Sequence, residues 1–214
     1  MSLEKTAEQI RTMEIRGAGK IAREAAAALR DHAESLPEAG LSAFVSEMNR
    51  AAEVLLATRP TAVSLPNAVN ITLAGLSAAE TESEARALVK SQADRFVAAS
   101  TKAVERIAEI CASRISDGMT IMTHCNSKAA LAGILLAKQQ GKNISVIATE
   151  VRPWNQGLLT IKTLNDHEIP TTYIVDSAVR TFMKEADLVI VGADAVTVKG
   201  AVVNKIGTSQ IALA

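Results

Sequence analysis

Two side chains capable of proton transfer follow apolar, β-type runs in the second half of the sequence. Cys125 comes after "MTIMTH", and Asp194 ends the run "DLVIVGAD". In open α/β sheets, the residues beyond the carboxyl ends of the strands meet at one edge, where ligands bind. A thiol and a carboxyl group at such an edge act as base and acid when their environments separate their proton affinities. The pattern therefore predicts an acid–base site that includes both residues.

Cys125 falls in the predicted turn between a strand and a helix, off any apolar stripe. The N-terminus of that helix and Lys128 are expected to lower the pKa of the thiol below its usual value of about 8.5. A metal site is not expected, because no second cysteine or histidine lies at ligand spacing. Cysteines are ordinarily small buried hydrophobes, and the residues alone leave that role and a chemical one equally open.

Asp194 follows a strongly apolar strand, so burial is expected to keep its carboxyl group protonated, as a general acid requires. An aspartate that only forms a turn is the plain alternative. His124, next to Cys125, is most simply an orienting or packing residue.

Anion-binding groups accompany these residues along the sequence. Ser127 and Lys128 open a helix, where free backbone N–H groups and an ammonium group can bind phosphate. A serine cap and a solvated lysine explain the same pair equally well. Asn204 and Lys205, in "NKIGT", add an amide and another ammonium group.

A glycine-rich stretch near the start, "RGAGKIA", has the spacing of a dinucleotide-binding fingerprint. It follows no strand and lies in no βαβ unit, so a dinucleotide site is not predicted. Gly17 and Gly19 instead let the backbone approach an anion at a helix start, beside Arg16. Arg59, before Pro60, could clamp a second anion, although an arginine alone is more often a surface charge.

The apolar pattern changes near residue 117, which predicts a helical domain over 1–116 and an α/β domain over 117–214. Helical periodicity marks "KIAREAAAALRDHAESL" and "LSAFVSEMNRAAEVLLAT", and helix breakers interrupt the series at 59–67. A longer helix then begins at the capping box "TESE", and its apolar stripe, which includes Ile107, carries Cys111 toward the core.

Short β-branched runs alternate with helices after the turn "SDG". The runs "MTIMTHC", "ISVIATE", "TTYIVD" and "DLVIVGAD" predict a parallel sheet with helices on both faces, a Rossmann-like α/β fold. The stretch "VTVKGAVVNKIG" predicts a hairpin that turns at Lys199–Gly200. The last stretch, "TSQIALA", begins a capped helix of about two turns, so the α/β domain is expected to be incomplete at its C-terminal side.

Composition argues against several classes of partner. The chain of 214 residues has 23 basic and 23 acidic side chains, which favours neither nucleic acids nor membrane surfaces. Aromatic residues make up only 2%, too few for platforms that stack single-stranded bases. Two cysteines form no disulfide framework, and the uncharged run "AALAGILLA" is too short to span a bilayer. We expect a cytoplasmic globular protein.

Six stretches from about residue 10 to the end together resemble the ribose-1,5-bisphosphate isomerases. They are "IRGAGKIAR", "RPTAVSLPNA", "THCNSK", "ATEVRPWNQG", "VDSAVR" and "GADAVTVKGAVVNKIGT". These enzymes share a superfamily with the methylthioribose-1-phosphate isomerases and the alpha, beta and delta subunits of translation initiation factor 2B. The forms "RGAGK", "SLPNA" and the Ser-Lys pair fit the ribose-bisphosphate branch. Asn126 departs from it, because that branch is expected to have histidine there and the thioether branch asparagine.

The resemblance implies that Cys125 removes a proton and Asp194 donates one, without a metal or redox cofactor. The reaction would convert ribose 1,5-bisphosphate to ribulose 1,5-bisphosphate in AMP degradation. The resemblance also implies a substrate-binding set of Arg16, Gly17, Ala18, Gly19, Arg59, Asn126, Ser127, Lys128, Asn204 and Lys205. It further implies a homo-oligomer, dimer or hexamer, a nucleotide activator such as AMP, and a chain that continues past residue 214.

Two other functions stay open. A methylthioribose-1-phosphate isomerase would use the same chemistry with a thioether in place of one phosphate, and Lys128 and Arg59 argue against its apolar pocket end. A non-catalytic regulatory subunit would bind a sugar phosphate or nucleotide and a protein partner, and it would need neither Cys125 nor Asp194. An α/β nucleotide-binding module of unknown role is the remaining possibility.

Overall fold

The computed structural model describes residues 2–60 and 63–214, and the chain divides into two compact units. Unit 1 is Met1–Lys102 and unit 2 is Ala103–Ala214. This boundary falls inside a long helix, and the domain boundary at 116/117 stays a prediction.

Unit 1 is helical, as the sequence predicts. Its elements are α1 (Leu3–Arg11), α2 (Ala18–Ser35), α3 (Leu41–Leu56), α4 (Ser64–Thr72), a short 3-10 helix (Leu76–Ala78) and the first part of α5 (Glu82–Ser113). Their apolar faces pack around Ile10, Leu29, Met48 and Leu55, all fully buried. Helix α4 begins inside the predicted interruption at 59–67, of which residues 61 and 62 lie outside the described residues. Pro66 fits there because it occupies the first turn, where its missing N–H has no partner to lose.

Helix α5 is capped as its sequence predicts. Thr81 Oγ1 accepts a hydrogen bond from the Glu84 N–H at 3.2 Å, and the Glu84 carboxylate accepts one from the Glu80 N–H at 2.9 Å. At the other end, Cys111 packs so closely on α6 (Lys128–Gln139) that a Cβ on Gly133 would lie 2.2 Å from its sulfur. The predicted core position of Cys111 is thus found, although the residue is only half-buried. The predicted burial of Ile107 is wrong, because its side chain is exposed.

The sheet of unit 2 is parallel, which confirms the predicted Rossmann-like α/β class. Strands β1 (Thr120–Thr123), β2 (Ser145–Thr149), β3 (Thr171–Ile174) and β4 (Leu188–Ile190) lie in the order β3-β2-β1-β4. From β1 the chain continues to β2 and β3 on one side, and β4 then lies on the other side of β1. The gap between β1 and β4 is therefore the topological switch point of the sheet. Ligands of such sheets bind beyond the carboxyl ends of the strands at that point.

Helices cover both faces of the sheet, because alternate side chains of each strand point to opposite faces. Ile121 and Val146 pack against α6 and α7 (Gly157–Asn165), while Met122 and Ile147 pack against α8 (Val179–Phe182) and α9 (Thr208–Leu213). The single helix predicted over 177–186 is wrong. It is instead three short pieces, a 3-10 turn (Asp176–Ala178), α8 and a second 3-10 turn (Met183–Glu185). The β-branched and aromatic residues of "VRTF" are weak helix formers, and the segment is short.

A hairpin follows β4, formed by β5 (Ala195–Val196) and β6 (Val202–Val203). Its turn is closed by a hydrogen bond of 2.9 Å from the Gly200 N–H to the Thr197 carbonyl, which confirms the predicted reversal at Lys199–Gly200. Among residues 2–60 and 63–214, no helix has the length and apolar character to cross a membrane.

Candidate active site

The loops after β1 and β4 lie side by side at the switch point of the sheet, and they carry Cys125 and Asp194. The charge of Asp194 acts on the Cys125 thiol, as does that of Lys205. The acid–base pair expected from the strand pattern is therefore brought to one edge of the sheet, with a cation beside it.

Cys125 is held by an unusual backbone and by contacts to α7. Its φ of +66° lies in the left-handed region, a conformation that costs a non-glycine residue about 1–3 kcal/mol and persists where surroundings enforce it. Thr160 Oγ1 donates to the Cys125 carbonyl at 2.7 Å and accepts from the Asn126 amide at 3.1 Å. The thiol donates to Gln156 Oε1 at 2.9 Å. Three contacts to one helix fix the loop and the direction of its sulfur.

The electrostatics of Cys125 differ from the expectation. Burial raises the pKa of the thiol above its ordinary value, whereas the Asn126 N–H and the Lys205 charge oppose that rise, and Asp194 and Asp176 add to it. The predicted lowering is thus wrong in direction, because the sulfur is partly removed from water in this loop. The cation that acts on the thiol is Lys205 rather than the expected Lys128, which is exposed at the start of α6.

Asp194 is exposed, so its predicted burial behind the β4 run is wrong. Strand β4 lies at the edge of the described sheet, and its side chains are only partly covered. The Asp194 N–H donates to the Val203 carbonyl at 2.8 Å and thereby begins the hairpin. The turn-forming role that the sequence left open is found, and the charge of Asp194 acts on the Cys125 thiol. The general-acid role stays a prediction.

Two further predicted residues of unit 2, Ser127 and Asn204, both lie close to Gly192. A Cβ at this position would lie 2.6 Å from Ser127 Oγ and 3.6 Å from Asn204 Oδ1. Ser127 caps α6 by accepting from the Ala130 N–H at 3.3 Å, and the Asn204 amide donates to Thr208 Oγ1 at 2.9 Å. The loop after β4 therefore passes directly over the N-terminus of α6, where Ser127 and Asn204 meet.

His124 links this edge internally. It is 1% exposed, with Nδ1 lying 2.6 Å from Thr149 Oγ1 and Nε2 lying 2.7 Å from the Ile206 carbonyl. A carbonyl only accepts, so Nε2 carries a hydrogen. Gly207, with φ of +101°, allows this packing, since a Cβ there would lie 2.7 Å from the imidazole Cε1. The expected orienting role is found: His124 ties the strand before Cys125 to the segment after Lys205.

Gln156 and Thr160 are contacts of Cys125 that the sequence does not single out. Gln156 immediately precedes α7 and Thr160 lies in its first turn, and the sequence patterns give neither residue a role. The available signal is Gly157: a Cβ there would lie 2.0 Å from the Thr149 carbonyl oxygen. A glycine required by such close backbone packing indicates that the residue before it is tightly placed.

A second group of predicted residues lies in unit 1, around Met13. The Arg16 guanidinium donates to the Met13 carbonyl, and Arg59 Nη1 lies 3.0 Å from the Met13 sulfur. Gly17, with φ of +85°, precedes α2 and has no side chain to cap it. Ala18 and Gly19 form the first turn, so the structure joins the two arginines and an uncapped helix start, a suitable arrangement for an anion.

A model of the initiation factor 2 subunit family matches residues 14–214. Among curated proteins, the ribose 1,5-bisphosphate isomerase of Methanocaldococcus jannaschii is 52% identical over 211 residues, covering 99% of this chain and 67% of that protein. The methylthioribose-1-phosphate isomerase of Geobacter metallireducens is 35% identical over 220 residues, covering 97% of this chain and 64% of that protein. The chain thus spans about two thirds of the length of these curated relatives.

Solved structures show the same fold. The translation initiation factor eIF-2B of Pyrococcus horikoshii superposes with a TM-score of 0.86 at 31% identity, covering 99% of this chain and 73% of that one. The likeness therefore extends over both units, and it includes a protein described as a translation factor as well as the isomerases found by sequence.

Proposed function

Because the chain belongs to the initiation factor 2 subunit family, we propose that this protein converts ribose 1,5-bisphosphate to ribulose 1,5-bisphosphate. The observation that carries the proposal is the pairing of Cys125 with Asp194 across the switch point, beside Lys205. The identity of 52% to an isomerase of that substrate, against 35% to the thioether enzyme, supports the choice of branch.

In the proposed reaction, Cys125 as thiolate removes the proton from C2 of the sugar. Asp194, protonated, donates to the ring oxygen, so the C1–O bond breaks and the electron pair of the C2–H bond forms an enol phosphate. The Cys125 thiol then gives its proton to C1, and the C2 hydroxyl gives its proton to the Asp194 carboxylate, which leaves the ketone and restores both groups. The phosphorylated anomeric oxygen blocks ordinary ring opening, which is why an acid and a base must act together.

Phosphate binding is the role we propose for the other predicted residues. In unit 2 these are Asn126, Ser127, Lys128, Asn204 and Lys205, and in unit 1 they are Arg16, Gly17, Ala18, Gly19 and Arg59. Cations and uncapped backbone N–H groups match dianionic phosphates through charge-assisted hydrogen bonds. Lys205 would serve twice, because its charge also favours the Cys125 thiolate.

The wider setting of the reaction is also proposed. We place the enzyme in AMP degradation, as a cytoplasmic homo-oligomer with a nucleotide activator. Free cysteines support a reducing compartment, since Cys111 and Cys125 are both unpaired thiols.

Asn126 favours one alternative, a methylthioribose-1-phosphate isomerase. Asparagine is the residue expected at this position in the thioether branch, and its amide here donates to Thr160 Oγ1 at 3.1 Å. The test compares kcat/KM of the protein for the two sugars. We expect a clear preference for the bisphosphate. A preference for the thioether sugar would move the protein to the other branch, and turnover of neither would favour a regulatory subunit.

A further inference from the structure

The hydrogen bond from the Cys125 thiol to Gln156 Oε1, at 2.9 Å, is short for a sulfur donor, and no step of the proposed reaction uses it. A thiol that donates to an amide oxygen is held in its protonated form. The proposed reaction requires the same sulfur to be a thiolate when it meets C2. The Gln156 side chain must therefore either stabilise both the thiol and the thiolate of Cys125 or stabilise only one of these forms.

The backbone on both sides of Gln156 is held by contacts to other segments. The backbone after it is wedged against the end of β2, since a Cβ on Gly157 would lie 2.0 Å from the Thr149 oxygen. The backbone before it is held by Asp176, whose two carboxylate oxygens accept from the Val151 and Arg152 N–H groups at 2.9 Å each. Side chains on such over-determined backbone hold a catalytic group within the narrow range that chemistry needs.

An amide offers chemistry that fits both states of the sulfur. Its oxygen accepts from a thiol, and after rotation of the terminal amide its nitrogen donates to a thiolate. A hydrogen bond to the charged form is the stronger of the two. The charged groups that act on the same sulfur are Lys205, Asp194 and Asp176, and each of these could change between donor and acceptor only by gaining or losing a proton. The amide needs only to rotate.

We propose that Gln156 is the positioning residue of Cys125, accepting a hydrogen bond from the thiol and donating one to the thiolate as the proton moves. This inference rests on the proposed function for its place in the reaction. The contact itself is a property of the free protein. Gln156 acts through Cys125, so its effect should appear in the titration of the thiol.

The test measures the rate of Cys125 alkylation by iodoacetamide against pH, with mass spectrometry separating the Cys125 and Cys111 peptides. Gln156→Met keeps the size and removes both polar atoms. It is expected to move the alkylation midpoint of Cys125 upward by roughly one pH unit, because the thiolate loses its donor. Gln156→Glu adds a negative charge and should move it further. Gln139→Met, on an exposed residue at the end of α6, is the matched control.

A downward shift in Gln156→Met would overturn the proposal, because it would mean that the amide serves the thiol alone. An unchanged midpoint in either variant would overturn it as well. Gln156→Leu replaces Gln156→Met if circular dichroism shows that the latter does not fold. The titration needs no substrate, so absence of ribose 1,5-bisphosphate turnover would count against the proposed function and leave this result standing. In an active protein, the alkaline shift should appear in the pH–rate profile by the same amount.

Discussion

The predicted residues fall into two groups that are built in different ways. The group in unit 1 is built mostly from sequence neighbours: Arg16, Gly17 and Gly19 lie close together in the chain, and one distant residue, Arg59, joins them at Met13. The group in unit 2 depends on several segments far apart in the chain, linked by hydrogen bonds that involve His124, Thr160 and Gln156. An anion can be bound by any well-placed charge and backbone N–H. Proton transfer needs fixed positions, which non-local links supply.

We therefore expect substitutions in the unit 2 group to lower kcat and substitutions in the unit 1 group to raise KM. The largest expected effect is the loss of kcat in unit 2. Cys125→Ser and Asp194→Asn should each lower kcat by at least about 10²-fold, within the 10²–10⁴-fold range of general acid–base groups, with little change in KM. Each change is nearly isosteric, so circular dichroism should report an intact fold. The double variant should be scarcely slower than the slower single one, because both groups act in one ring opening. If either single variant kept more than about a tenth of kcat, that residue would be structural and the regulatory-subunit alternative would gain.

Loss of an arginine in unit 1 should mainly weaken binding. Arg59→Met removes a charge-assisted contact to phosphate and should raise KM about 10–100-fold, with kcat changed much less. Arg50→Met is the control, since Arg50 is an exposed partner of Glu47 on α3 and surface ion pairs contribute little. Steady-state kinetics on both variants decide the point. A fall in kcat as large as that of Cys125→Ser would erase the distinction between the two groups.

Two glycines, one in each unit, allow the groups to be compared by the free energy of unfolding. Gly207→Ala puts a methyl group against the His124 ring at a left-handed φ of +101°, so we expect a loss of at least about 2 kcal/mol of unfolding free energy. Gly17→Ala, at φ of +85°, meets no atom within 4 Å and should cost only about 1 kcal/mol, from backbone strain. Urea unfolding of the two variants measures both values. Equal losses would show that the packing on His124 adds nothing.

The smallest expected effect concerns the cation beside the thiol. Lys205→Met should move the alkylation midpoint of Cys125 to higher pH by less than about one unit, because a nearby positive charge favours the thiolate. Lys128→Met should leave it unchanged. A shift with Lys128→Met alone would restore the role that the sequence assigns to Lys128.

Burial raises the pKa of Cys125, and this fixes the sign of two pH effects. The neutral thiol is favoured by folding, so its contribution to stability is present below the unfolded pKa and lost as pH rises through the folded pKa. The base is the thiolate, so kcat/KM should still be rising with pH above neutrality. A plateau reached at or below pH 7 would be inconsistent with Cys125 as the base.

Strand–helix alternation was enough to place Cys125 and Asp194 at one edge, because period-2 and period-3.6 patterns fix the order of elements. It could not supply the environment of either side chain. Cys125 is partly buried, and Gln156 reaches its sulfur from 31 positions along the chain. Asp194 is exposed among the described residues, where β4 pairs on one side only, and an apolar run does not encode that strand order.

Breaking of the C2–H bond tests the central claim most directly. Ribose 1,5-bisphosphate carrying deuterium at C2 can be followed by NMR with the wild-type protein and with Cys125→Ser. The pairing of Cys125 with Asp194 predicts that the wild type breaks the C2–D bond at the rate of product formation, with a primary isotope effect if this step limits turnover. It predicts no detectable loss of deuterium from C2 with Cys125→Ser that still binds the sugar. Cleavage of that bond by Cys125→Ser at the wild-type rate would contradict the account.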